Sequence, residues 1–395
     1  MLRASGRLTA GVAAAACAGA LAGGGTGAYA ATTAPDLPTW QPGGACIGAS
    51  SSVVDRPSWA LRRMDPYPAW PLTRGAGVVV AVIDTGVSPR ATALGGGAVL
   101  PGVDVVTGGP ADTDCMGRGT ALAGLVAARP QSGSGLAGIA PAATVLPVKV
   151  TDETGRIKPG ALANGIRAAT AAGADVILVG FGSTTQDADL SAAVQAALAQ
   201  DIVVVAAVAD RSVTGAGGAP TVWYPAADEQ VLAVGGVDMA GAPVTSTPPA
   251  AGLDLYAPVA EAYSVAPTGT GHYRVGGTAV AAAEVAGVVA LLRAYRPDLH
   301  QDEIRRRLLQ TTEPAPPGRN GAGVVDAYAA LTELRTDPGT ASERPEPELV
   351  LPRRAPAPLA PLIAAAFVAA LAAVAALAFT VAAVLRRGRR RNWRS

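Results

Sequence analysis

The 395-residue sequence predicts an α/β fold, a doubly wound parallel sheet with helices on both faces, followed by one C-terminal transmembrane helix. Three observations carry this reading. Between residues 75 and 334, short aliphatic runs alternate with longer alanine-rich stretches. The aliphatic runs lack the polar alternation of a half-exposed strand, so their sheet is covered on both faces. Strand–helix alternation in turn implies parallel βαβ units with right-handed crossovers. Finally, residues 359–385 contain no charged side chain, enough to span a bilayer as a helix.

In chain order, residues 1–30 read as a secretory signal peptide: Arg3 and Arg7, an apolar stretch from Leu8 to Leu21, and the small-x-small site Ala28-Tyr29-Ala30. The alternative is a disordered Ala/Gly tail. Cys17 suggests a lipoprotein, but Ala14 stands three residues before it where a large aliphatic belongs. Residues 31–74 form an N-terminal extension. After signal cleavage Cys46 and Cys115 remain, and in an exported chain such a pair reads as a disulfide, with two buried thiols as the alternative. In the domain at 75–334, strands are expected at Gly77–Ile83, Thr144–Val150, Asp175–Phe181, Asp201–Val208 and Gln230–Val237. Helices are expected at Thr120–Ala128, Gly160–Ala172, Asp187–Ala199, Val280–Arg293 and Gln301–Leu309. Residues 335–358 are rich in Pro, Glu and Arg without apolar periodicity, and read as a stiff extended linker. The basic tail 386–395, with Arg386, Arg387, Arg389, Arg390, Arg391 and Arg394, places the C-terminus in the cytoplasm and the large domain outside. A net charge of +1 gives no electrostatic case for a nucleic-acid partner.

Val80-Ala81-Val82-Ile83-Asp84-Thr85-Gly86-Val87 is an apolar strand ending in Asp-Thr-Gly, which puts Asp84 at the carboxyl end of a buried strand. Working groups of parallel sheets gather at that edge, although Asp-x-Gly there serves as a structural cap as readily as in catalysis. Asp114-Cys115-Met116-Gly117-Arg118-Gly119-Thr120 precedes one helix, and the segment Gly276-Gly277-Thr278-Ala279 through Glu284 to Gly287 opens another. With these three segments in this order and spacing, the chain resembles the subtilases, serine endopeptidases whose triad runs Asp, His, Ser along the chain. The resemblance implies a subtilisin-like fold. It resembles one branch closely, the mycosins, membrane-anchored subtilases associated with type VII secretion in actinobacteria. The exported extension with its cysteine, the cysteine before the second motif, Trp59-Ala60-Leu61, the proline-rich linker and the membrane helix all share in it. That resemblance pairs Cys46 with Cys115. Ala283 departs from the Pro of most subtilases and leaves the helix intact.

Carried over position by position, the triad Asp is Asp84, the His position holds Arg118, the Ser position holds Ala279, and the Asn that donates to the oxyanion is replaced by Asp210. Ala279 has no hydroxyl to form an acyl-enzyme. A guanidinium stays protonated and accepts no proton from a nucleophile. An ionised Asp210 repels a developing oxyanion. Nothing else rebuilds a triad: His272 lies in a loop, His300 reads as a solvated cap after Pro297-Asp298, and Ser264 reads as a surface hydroxyl. Arg118 beside Asp84 is expected to form a charge-assisted pair, against an Arg pointing to solvent. Two functions stay open: a catalytically inactive mycosin-like protein that acts by binding, as a scaffold at a type VII secretion membrane complex or as a receptor for an extended peptide in the cleft, and an active membrane-anchored serine endopeptidase with misplaced motifs. A surface protein unrelated to secretion systems is a third, weaker reading. The expected partners are thus the membrane, that complex and peptide; no cofactor and no metal is assigned.

Overall fold

The computed structural model describes residues 33–209, 222–244, 247, 252–315, 321–333 and 360–390. The expected signal peptide, Asp210 and the expected linker lie outside the described residues. The chain divides into two units, Met1–Arg335 and Thr336–Ser395.

The first unit opens with a short helix, α1 (Trp59–Met64), capped by the Ser58 hydroxyl, which accepts from Leu61 N–H. The sheet begins with β1 (Val79–Asp84) and β2 (Val103–Asp104), and α2 (Arg118–Ala127) leads to β3 (Thr144–Lys149). Next come α3 (Ala161–Ala171), β4 (Val176–Val179), α4 (Ala188–Leu198), β5 (Val203–Ala207), β6 (Leu232–Val237) and β7 (Leu255–Pro258). A hairpin, β8 (Ala262–Val265) with β9 (His272–Val275), precedes α5 (Thr278–Tyr295) and α6 (Gln301–Gln310). β10 (Glu313–Pro314), β11 (Gly323–Val324) and α7 (Ala327–Thr332) complete the unit.

Among the described residues, nine strands form one sheet in the order β10-β11-β7-β6-β5-β4-β1-β3-β2. All neighbours run parallel except β10 and β11. β1 lies between β3 and β4 with its last five residues buried, as its uninterrupted Val/Ala/Ile run requires. From β1 the chain crosses to β3 on one side; from β4 it steps the other way. The reversal puts a crevice at the carboxyl ends of β1 and β4. One core lies under α2 and α5 and takes in Ile304 and Leu308 of α6; the other lies under α3 and α4.

The five expected strands are β1, β3, β4, β5 and β6, and the five expected helices are α2 to α6. The hairpin corrects two expectations. His272 is the first residue of β9, not a loop residue, and is 3% exposed. Ser264 is fully buried in β8, where its hydroxyl donates to the Ala121 carbonyl of α2 (2.5 Å). The approach is close because Gly124 faces it: a Cβ there would fall 2.4 Å from the Ser264 oxygen. His300 does cap a helix, its N–H donating to Glu303 at 2.8 Å.

In the second unit, α8 (Ala360–Arg390) extends past the apolar run into the first arginines of the tail. Its stretch Ala365–Arg389 is long and apolar enough to cross a membrane and has none of its surface buried within the protein. α5 is comparably apolar, but it is the core helix of the first unit, with Thr278 through Leu292 buried.

Candidate functional site

Asp84 ends β1 and is fully buried. Its Oδ1 accepts from Thr85 N–H at 2.9 Å, and its Oδ2 accepts from Arg118 Nη1 in an ion pair. The other terminal nitrogen of Arg118 donates to the Gly180 carbonyl just past β4 (2.6 Å), and its guanidinium carbon lies 3.9 Å from the Phe181 ring centroid. Arg118 thus bridges the ends of β1 and β4, at the crevice set by the strand order. Position 180 must be glycine, since a Cβ there would lie 2.1 Å from Asp84 Oδ2. The expected pair between Arg118 and Asp84 is present, with a carbonyl and an aromatic face added.

Asp114 holds the start of α2. Its Oδ1 accepts from Thr85 Oγ1 (2.8 Å), Met116 N (3.1 Å) and Gly117 N (2.8 Å); its Oδ2 accepts from Thr120 N (2.8 Å) and Thr120 Oγ1 (2.7 Å). Complete burial pushes its carboxyl up to about 6, against the lowering pull of those hydrogen bonds and with a further upward push from nearby Asp84. A carboxylate at a helix N-terminus complements the backbone dipole, and Thr85 ties this carboxyl to the end of β1.

Ala279 lies in the first turn of α5 and is 9% exposed. Its neighbour Thr278 donates to the Ala209 carbonyl (2.6 Å), two residues beyond β5, so α5 starts at the same edge of the sheet. Cys46 and Cys115 form a disulfide with their Cα atoms 4.1 Å apart, which fastens the extension to the loop that carries Asp114. Among the described residues no group of His, Cys, Asp and Glu is placed to hold a metal ion.

A Ser–His contact does exist away from this crevice: Ser134 Oγ is 3.4 Å from His272 Nε2. His272 Nδ1 accepts from Val54 N–H at 3.0 Å, so in the neutral ring the proton sits on Nε2 and is donated toward the serine. That tautomer cannot take the serine proton. Burial lowers the imidazole below its ordinary value, which keeps it neutral. The sequence reading missed Gly180 and Phe181. The signal was there: Phe181 closes an aliphatic run in a chain with three phenylalanines.

The Subtilase family profile (Peptidase_S8) matches residues 75–334. Subtilisin DY of Bacillus licheniformis is 35% identical over 258 residues, covering 65% of this chain and 92% of its own length. Thermitase of Thermoactinomyces vulgaris is 36% identical over 224 residues, 57% of this chain and 77% of the relative. Among solved structures, MycP1 from Mycobacterium smegmatis aligns with a TM-score of 0.64 at 28% identity, covering 78% of this chain and 93% of that one. The MycP3 protease from the type VII (ESX-3) secretion system aligns at 0.65 and 30% identity, covering 76% and 96%. A chain of the periplasmic assembly from the ESX-5 inner membrane complex aligns at 0.66 and 27% identity, covering 82% and 96%. With its α/β sheet, its Asp-Thr-Gly strand end and these relatives, the chain belongs to the subtilase family and is mycosin-like within it.

Proposed function

We propose that this chain is a pseudoprotease: a mycosin-like subtilase that binds rather than cleaves, serving as a scaffold or peptide-binding subunit of a type VII secretion membrane complex. The carrying observation is the Arg118–Asp84 pair. Asp84 takes the place of the triad Asp, and the carboxylate that would orient a histidine engages a guanidinium that accepts no proton. Ala279, in the place of the serine, supplies no hydroxyl, and Asp210 takes the place of the oxyanion donor. In subtilisin, loss of triad function costs about a million-fold in kcat, and that penalty alone removes useful turnover.

The association with a secretion complex is supported by the ESX-5 assembly and by MycP1, described as an essential component of the ESX-1 system, among the structural neighbours. The apolar helix supports anchoring in the cell membrane by a single pass. In subtilases the cleft takes extended peptide as an added strand, and binding of that kind needs no turnover.

The test is a serine-directed fluorophosphonate probe on the purified protein, with peptide hydrolysis alongside. Neither labelling nor turnover is expected, and Ala279→Ser alone restores no turnover because Arg118 gives its hydroxyl no base. Labelling that disappears when a different serine is replaced would overturn the reading.

A further inference from the structure

One segment of the N-terminal extension is clamped between two buried titratable groups that the candidate site does not use. At its centre is Val54. Its N–H donates to His272 Nδ1 at 3.0 Å, and its carbonyl accepts from Gly135 N–H at 2.8 Å. Two residues earlier, the Ser52 carbonyl accepts from His272 N–H at 2.8 Å. Val54 also lines a chamber with Arg56, Ser58 and Leu61 of the same segment, Tyr263 of β8 and Glu284 of α5. The chamber's free volume of about 10 Å³ matches one water molecule. Glu284 is 2% exposed, and its Oε2 has no hydrogen-bond partner.

Each group tolerates one protonation state. A carboxylate in this chamber would be a buried charge without a pair, whereas the neutral acid costs far less. A protonated imidazole has no lone pair on Nδ1, so it would turn an N–H toward the Val54 N–H. We propose that residues 52–61 form a proton-coupled latch, seated on the domain only while Glu284 and His272 are both neutral. The latch stays tethered outside this segment, because Cys46 is bonded to Cys115 and Ile47 N–H donates to the Cys115 carbonyl (2.9 Å). Release is therefore local to residues 52–61.

Other charges do not supply this coupling. In the Glu284 chamber the remaining titratable groups are Tyr263, from β8, and Arg56, which is exposed and rides on the latch itself. The second cavity, about 100 Å³ beside His272, is lined by the neutral side chains of Thr92, Gln131, Ser132, Ser134 and Thr270. Burial raises the Glu284 carboxyl well above its ordinary range and lowers the His272 imidazole. The signs are opposite. The contribution of Glu284 is complete below the ordinary glutamate range and is lost as pH rises toward its raised value. That of His272 is complete above the ordinary histidine value and is lost as pH falls.

Hydrogen exchange of the full chain in detergent between pH 5 and 9, corrected for intrinsic rates, reads the latch through peptides covering 52–61, with β4 and β5 as the internal reference. In wild type, protection of 52–61 is expected to fall on the alkaline side by up to about tenfold per pH unit, the limit for one proton. Glu284→Gln removes that fall and leaves an acid limb. His272→Asn, whose side-chain oxygen can still accept from Val54 N–H, removes the acid limb and keeps the alkaline one. Should Glu284→Gln not fold, Glu284→Met supplies a second neutral side chain. A wild-type profile flat across the range overturns the latch whatever the variants do. So does a loss shared equally by β4 and β5, which would mark global unfolding.

Discussion

Arg118 opens a helix, where the positive end of the backbone dipole disfavours a cation by about 0.3–1 kcal/mol. Its partners more than offset that: the buried Asp84 carboxylate, the Gly180 carbonyl and the Phe181 ring. The guanidinium is three-quarters buried and Asp84 wholly so, so the pair is largely desolvated. Removing one member of such a pair costs about 3–5 kcal/mol, because the other is left stranded. Arg118→Ala is accordingly expected to lower unfolding free energy by about that much, and Asp84→Ala added to it should recover part of the loss. A double-mutant cycle in denaturant measures the coupling; a value near zero would show that the pair contributes nothing. The pair was legible in the sequence because both residues sit in motifs that the fold brings to one sheet edge. The Phe181 stacking and the Gly180 bond were not, since neither residue carries chemistry of its own. Glu284 stood in plain view as the lone carboxylate of an apolar helix, but only the packing reveals that nothing pairs with its Oε2.

Strands legible from their aliphatic runs are the central ones, where burial on both faces forbids polar residues. The elements that escaped notice are short or two-sided. β8 and β9 form their own antiparallel pair outside the main sheet, and Tyr273 and Arg274 alternate buried and exposed within four residues. β9 is also where the extension docks: Leu37 N–H donates to the Arg274 carbonyl (2.9 Å), Arg274 N–H donates to the Pro35 carbonyl (2.7 Å), and Asp36 takes both edges of the Arg274 guanidinium (2.7 and 2.9 Å). Those ion-pair partners are about half exposed or more, so the Coulombic share is small. The covalent tie contributes more. The Cys46–Cys115 bond spans 69 residues of sequence and stabilises by about 2–4 kcal/mol on the usual scale. Thiol labelling of the denatured, unreduced protein should find neither Cys46 nor Cys115 free, and reduction should lower the unfolding midpoint. Two labelled cysteines before reduction would show that the bond does not form in the cell.

Among the described residues, two helices are long and apolar enough to cross a membrane, and packing separates them. α5 has 18 residues, a mean hydropathy of 1.5, and 83% of its apolar stretch buried against the sheet. The stretch Ala365–Arg389 has 25 residues, a mean hydropathy of 2.6 and no buried share, so its apolar surface still requires a lipid phase. A helix rises about 1.5 Å per residue and a hydrocarbon core is about 30 Å thick, so 25 residues suffice with some tilt. The flanks give the expected orientation. Arginines crowd residues 386–394, whereas the preceding linker mixes Arg with Glu. The positive-inside rule predicts the arginine flank on the cytoplasmic side, and with it residues 31–358 outside and 386–395 inside. Protease added to intact spheroplasts should therefore release the folded domain by cutting the Pro-rich linker, while an epitope appended after Ser395 stays protected until the membrane is opened. Protection of both ends would contradict the exported domain, and loss of the C-terminal epitope from intact cells would reverse the orientation.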